Sequence, residues 1–210
     1  MTSFRISFVS WLGKSTLHSR SVSTSAIFLE HARNKLNNAS LSAIVAARKC
    51  SKSLVGVLPV GSADSPVIAE ARRLGLEKLL VAAHNSYEHL LSEPVASLFA
   101  HLQMKHSFSH WWAASTSAGK NIMPRFAGVL LRDEKANVAP ISDIIEVKSE
   151  NSFVRPIYAG NALVEVKSTA HVNIITVRPT SFSWIASSTT TEQECTEVEA
   201  IDFSPSEGTL

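Results

Sequence analysis

Cysteine is scarce in this chain of 210 residues: Cys50 and Cys195 lie far apart and form no CxxC pair. A disulfide framework and a cysteine-rich zinc site are thereby set aside. A strong excess of charge is missing too, since 20 Lys+Arg against 18 Asp+Glu leave a net +2. That is too little for the footprint of a nucleic-acid binder. No apolar run approaches the roughly 20 residues that span a bilayer, so no membrane span is expected. HExxH, GxSxG and GxGxxG are all absent. The first two absences argue against a zincin and an α/β-hydrolase, the third against a dinucleotide fingerprint. Finally, no Asp or Glu precedes Glu30, although Arg5, Lys14 and Arg20 do. Phe4, Phe8, Trp11 and Leu12 can share a helical face among those basic and serine residues. A basic, acid-poor start of this kind predicts a mitochondrial transit peptide over residues 1–24, with the folded part beginning near Ser25.

What is present is an ordinary globular balance, 45% apolar and 18% charged, enough to fill a core. Ser25–Leu29 reads as a first strand. Ser40 is placed to cap a helix over Leu41–Lys49. Leu54–Val60 is a continuous apolar run suited to a buried parallel strand. Pro66 opens a helix that Gly75 stops. Leu79–Ala83 reads as a third strand, Leu90–Met104 as a helix, and Trp111–Ala114 as a fourth strand. Ser117 is placed to cap a helix to about Leu131, with Pro124 read as a delayed first turn. Strand and helix thus alternate, the βαβ signature of a parallel sheet. The second half differs. Ile144–Lys148, Phe153–Tyr158, Ala162–Lys167 and Val172–Val177 are β-branched runs separated by turn formers, and predict an antiparallel meander of four strands. The expected fold is α/β: a three-layer domain over residues 25–182, a mostly parallel sheet flanked by helices, plus the meander. Residues 183–210 are Ser/Thr/Glu-rich without periodicity and read as a disordered polar tail or linker.

Few residues suggest chemistry. Ser117, Gly119, Lys120 and Asn121 lie between a strand and a helix, where backbone N–H groups and a helix dipole can hold an anion. The phosphate-loop signature is incomplete, however: Ala114 stands where its first Gly belongs, and Asn121 where the magnesium ligand belongs. A helix start that binds nothing, or touches a partner, is favoured over a nucleotide-binding enzyme using Ser117–Asn121. The histidines His84, His89, His101, His106 and His110 have no carboxylate at ligand spacing, so no metal is expected. Trp111 and Trp112 should face opposite layers of the sheet as core residues. No catalytic residues stand out.

The strings Pro140–Ile145 (PISDII) and Val154–Ala162 (VRPIYAGNA) resemble the electron transfer flavoprotein alpha subunit family. Ser117–Asn121 with Pro124-Arg125, Glu30-His31, Leu79–Val81, Val177-Arg178 and Thr180–Phe182 extend the likeness, which covers about Ser25 to Ser183. The resemblance carries departures. Residues 128–137 are longer than the family's usual link, Trp111–Ala114 replaces a Gly-containing run, and Pro179 stands for a Gly. It implies an electron carrier without substrate chemistry of its own, located in the mitochondrial matrix. Such a carrier pairs with a beta subunit and takes electrons from acyl-CoA and other dehydrogenases to a ubiquinone oxidoreductase. The redox group of the intact family heterodimer is FAD. The Gly-rich motifs of the family's flavin-binding domain are not found in this sequence. A truncated form is therefore expected, one that meets the beta subunit and binds no flavin itself. Asp143, Arg155, Tyr158 and Asn161 are then candidates for stiffening the meander or meeting the partner, a plain turn role at Gly160-Asn161 being equally open. A scaffold that binds a partner subunit without any redox role is the alternative.

Overall fold

The structure, a computed structural model, describes residues 24–184 and 197–205. The expected transit peptide lies outside the described residues except for Thr24. In chain order the elements are β1 (Thr24–Phe28), β2 (His31–Ala32), β3 (Lys35–Leu36), α1 (Ala39–Arg48), β4 (Ser53–Val60), α2 (Val67–Arg72) and β5 (Lys78–Ala83). There follow α3 (Ser92–His106), β6 (His110–Ala114), α4 (Ser117–Leu130), β7 (Val138–Ile144), β8 (Glu146–Ser149), β9 (Ser152–Ile157), β10 (Ala162–Lys167), β11 (Val172–Val177) and β12 (Glu197–Ile201). Seven strands form one sheet in the order β12-β5-β4-β1-β6-β11-β7, and every pairing in it is parallel. The fold is α/β, as the alternating pattern implied.

A parallel sheet of this kind is covered on both faces, so its inner strands are apolar on both. β6 is buried along its whole length, and β1 and β4 after their first residue. Trp111 and Trp112 divide the two cores between them. Trp111 packs with Phe28, Phe99, Phe108 and Phe126 under α3 and α4, and Trp112 with Ile44, Phe153 and Phe182 under α1 and the meander. Neighbouring rings in the first core meet edge-on or tilted, with centroids 4.8–5.7 Å apart. Both indole N–H groups are satisfied: Trp111 Nε1 donates to Gln103 Oε1 (2.7 Å) and Trp112 Nε1 to Ser25 Oγ (3.3 Å).

The meander has three strands, not four. β8, β9 and β10 form an antiparallel sheet, but Val172–Val177 leaves it and runs parallel between β6 and β7. The apolar run Ile174-Ile175 with Val177, buried on both faces, suits an inner parallel strand; the alternating charges of Glu165 and Lys167 suit a half-exposed one. β7 lies almost wholly ahead of the run expected at Ile144–Lys148, and it contains Pro140. As the last strand of the sheet it can accommodate a residue without an N–H. The tail reading also needs correction at residues 197–201. They form β12 beside β5, with Ile201 turned inward and Glu197 and Glu199 bonded to Lys78 at 2.7 and 2.9 Å. Two glutamates that look like tail composition are the charged face of an edge strand. The caps move as well. Thr116, rather than Ser117, caps α4, and Pro124 lies in its interior. Ser40 lies inside α1, and its hydroxyl accepts from Glu30 N.

A buried polar network fastens the meander to the sheet. His110 Nε2 donates to the carbonyl of Glu150 (2.9 Å), which can only accept, so Nδ1 is left to accept from Ser109 Oγ (2.9 Å). Asn173 on β11 accepts from Ser168 Oγ through Oδ1, and its amide donates to Asn151 Oδ1 (3.3 Å). Burial lowers the His110 pKa, although the Glu150 carbonyl and carboxylate oppose that. A depressed histidine contributes stability that is whole above the unfolded value of 6.5 and lost as pH falls toward the folded one. The thermal midpoint should therefore drop between pH 7 and 5, and drop less in His110→Gln; an unchanged profile in that variant contradicts the assignment.

At β12, Lys105 and Lys78 hold the Glu199 carboxyl down to about 2, against modest desolvation. The gain from this largely exposed cluster is present above the usual glutamate range and lost as pH falls toward about 2. Glu199→Gln should speed amide exchange in residues 198–201 while leaving the global midpoint nearly unchanged. Mass-resolved hydrogen exchange checks both.

Candidate functional site

The sheet order reverses at β1. From β1 the chain passes through α1 to β4 and on to β5, then returns through α3 to β6 on the opposite side of β1. In open α/β sheets ligands bind beyond the carboxyl ends of the strands at such a switch point. Here the loops after β1 and β6 bring Glu30 next to Thr116. Thr116 Oγ1 donates to Glu30 Oε2 (2.5 Å) and accepts from Gly119 N (3.0 Å). Glu30 Oε1 accepts from Asn37 Nδ2 (2.9 Å), which holds the carboxylate from its other side. The positive end of α4 is thus capped by a threonine and backed by an acid. Gly119 is there because nothing larger fits: a Cβ would lie 2.0 Å from the Ala114 carbonyl oxygen.

A second acid completes the rim. Asp143 (φ +57°) lies at a register shift between β7 and β11, its N–H donating to Thr176 Oγ1 (3.0 Å). Its carboxylate pairs with Arg178. Partial burial pushes the Asp143 carboxyl up, but Arg178, helped by Ser115 and Lys120, outweighs that and holds it below the usual range. Ser117, Lys120 and Asn121 are exposed on the first turns of α4. The candidate residues therefore separate. Ser117, Gly119, Lys120, Asn121 and Asp143 lie at or beside the crevice, whereas Arg155, Tyr158 and Asn161 belong to the meander. Glu30, Thr116 and Arg178 were not read as site residues, although Glu30 follows the first strand directly and Thr116 stands just ahead of the Ser117–Lys120 string.

This arrangement does not suit a pyrophosphate or triphosphate. A helix N-terminus attracts anions through free N–H groups, but here Thr116 takes one of them and the Glu30 carboxylate stands at the mouth, while Asp143 nearby is paired with Arg178. An open cavity of ≈ 540 Å³ lies further along the same edge, lined by His31, Arg33, Asp64, Asn85, Glu88 and His89 among others. Its charges are of both signs, and the His31 ring is already bonded to the Pro59 carbonyl (2.8 Å). Among the described residues no group of three or more His, Cys, Asp or Glu could hold a metal. No helix among them is long and apolar enough to cross a membrane.

Comparison with known proteins gives a consistent likeness. The profile of the family described as "Electron transfer flavoprotein domain" matches residues 25–203. A probable mitochondrial electron transfer flavoprotein subunit alpha of Cryptococcus neoformans is 42% identical over 171 residues, covering 79% of this chain and 47% of the relative. The mitochondrial alpha subunit of Dictyostelium discoideum is 36% identical over 166 residues, 76% of this chain and 45% of its own. The alpha subunit of Pseudomonas aeruginosa is 43% identical over 155 residues, 71% and 48% respectively. The chain spans about half the length of the curated relatives it matches.

Gly119→Ala should destabilise the chain by about 1–3 kcal/mol, the usual range for overpacking against atoms that cannot yield. Lys120→Ala, on an exposed side chain, should stay within about 0.5 kcal/mol of the parent. Urea unfolding of the two variants side by side checks the contrast.

Proposed function

The chain belongs to the electron transfer flavoprotein domain family, and from that premise we propose that it is the partner-contacting, supporting part of a mitochondrial electron transfer flavoprotein alpha subunit. One observation carries the reading: the family match over residues 25–203 starts inside β1 and runs past β12, so it spans the whole parallel sheet. In this reading residues 1–24 direct import into the mitochondrial matrix. Residues 25–182, together with β12, form the N-terminal domain that meets the beta subunit.

The activity belongs to the heterodimer. FAD, when bound there, accepts electrons from acyl-CoA and other dehydrogenases and yields them to a ubiquinone oxidoreductase, during fatty-acid and amino-acid oxidation. The residues of this chain supply shape and no redox step. Thr116 takes up one N–H at the start of α4 and the Glu30 carboxylate stands beside it, which argues against a flavin pyrophosphate there, while Asp143 is already paired with Arg178. The same carboxylate, with Asn121 in place of a magnesium-ligating Ser or Thr, argues against a nucleotide hydrolase at Ser117–Asn121.

Two measurements on one preparation test this. Titrated with FAD alone, the chain should show no saturable visible absorbance. Mixed with an electron transfer flavoprotein beta subunit, it should elute as a one-to-one complex. Stoichiometric flavin on the isolated chain overturns the supporting role, and failure to bind the beta subunit overturns the alpha-subunit assignment.

A further inference from the structure

Among the described strands, β10 offers the longest unpaired border in unbroken register, with Glu165 and Lys167 as its charged residues. β7, at one end of the main sheet, carries Pro140 and a register shift. β12, at the other, is short and faces outward with Glu197 and Glu199 paired to lysines. β8 is four residues long and also shifts register. β10 runs six residues in unbroken register with β9, has no proline, and pairs with no other strand among the described residues. A long regular edge of this kind invites pairing with another chain.

The direction of its backbone groups follows from the ladder. The Val154 carbonyl accepts from Ile145 N, so Val154 points its backbone toward β8, and its neighbours Phe153 and Arg155 point theirs toward β10. Their opposites, Val166 and Val164, point back. Leu163, Glu165 and Lys167 therefore turn N–H and C=O outward along the free edge. The side chains beside these groups are unusually bare: Tyr158 is 78% exposed, Leu163 62% and Val164 37%. Tyr158 and Ala159 are held at φ +49° and +56°, in the left-handed region that residues with a Cβ seldom occupy. The charges are unequal as well. Glu165 is engaged by Lys148 (3.1 Å) and Ser152 (2.5 Å), whereas Lys167 makes no salt bridge among the described residues and only adds to the field at Glu165 from a distance.

We propose that an extended segment of the electron transfer flavoprotein beta subunit adds to the β10 edge as a fourth strand, with an apolar side chain opposite Leu163 and an acid opposite Lys167. The proposal rests on the alpha-subunit reading and states which surface the partner takes and how. Main-chain bonds to Leu163, Glu165 and Lys167 supply the attachment; the exposed apolar side chains and the spare lysine supply the choice of strand.

The test is residue-resolved amide exchange by NMR on the full chain, alone and saturated with beta subunit, alongside binding by calorimetry. In the isolated chain the amides of Leu163, Glu165 and Lys167 should exchange fast and those of Val164 and Val166 slowly. In the complex all five should be slow. Leu163→Pro removes one outward donor and leaves the β9 ladder intact, so it should weaken binding about tenfold or more with the thermal midpoint retained. If that variant unfolds, exchange in the parent chain still decides. A complex in which the three outward amides remain fast overturns the proposal and leaves the alpha-subunit reading standing. No complex at all removes both. Outward amides already slow in the isolated chain also overturn it: concentration-dependent protection means a second copy covers the edge, and concentration-independent protection means the chain covers its own.

Discussion

Parallel pairing imposes one demand that the rest of the structure answers: every strand of the central sheet must have an apolar cover on both sides. β6 shows it most plainly. His110, Trp111, Trp112, Ala113 and Ala114 are all buried, and successive side chains enter opposite layers. One layer is made mainly by α3 and α4, with Tyr87 and Leu90 beside them. The other is shared, because α2 is only six residues long and α1 cannot reach across seven strands. The meander completes it, with Phe153 set edge-on to Trp112 at 6.1 Å. The antiparallel sheet is thus a third piece of the helical layer in function, which explains why a buried histidine and asparagine tie it down.

The parallel half was legible because its signals are local and redundant. VGVLPV between Ser53 and Val60 cannot be satisfied by one buried face, and Gly75 at φ +64° stops the chain after α2 as a glycine there should. The misread pieces share a cause. β11 looks like a fourth hairpin strand because its turn, Ser168-Thr169, resembles the two before it; only long-range pairing with β6 and β7 assigns it to the main sheet. β7 and β12 lie at the sheet's two ends, where proline and glutamate are permitted and the composition imitates a loop.

The crevice was half legible. A Gly-Lys pair between a strand and a helix does mark the switch point, and Gly119 is required there by the Ala114 carbonyl. What the spacing could not convey is that Glu30, some ninety positions earlier, would reach Thr116 and set a carboxylate beside an apparent anion site. Charge at a site is a property of everything folded against it, and the acids come from loops that no local window joins. Asp143 is a milder case. The string it belongs to was recognisable, but its left-handed backbone and its pairing with Arg178 follow from a register shift that only the folded sheet reveals.

The adjacent tryptophans of β6 also divide the molecule optically. Trp111 emits from a wholly aromatic and aliphatic layer, its indole N–H held by Gln103. Trp112, one residue on and in the opposite layer, is stacked nearly parallel to the His110 imidazole, with ring centroids 6.1 Å apart. Charged imidazole quenches indole fluorescence and the neutral ring does so far less. The light from a single strand therefore carries two separable signals, one from the helical layer and one from the protonation state of the joint that fastens the small sheet.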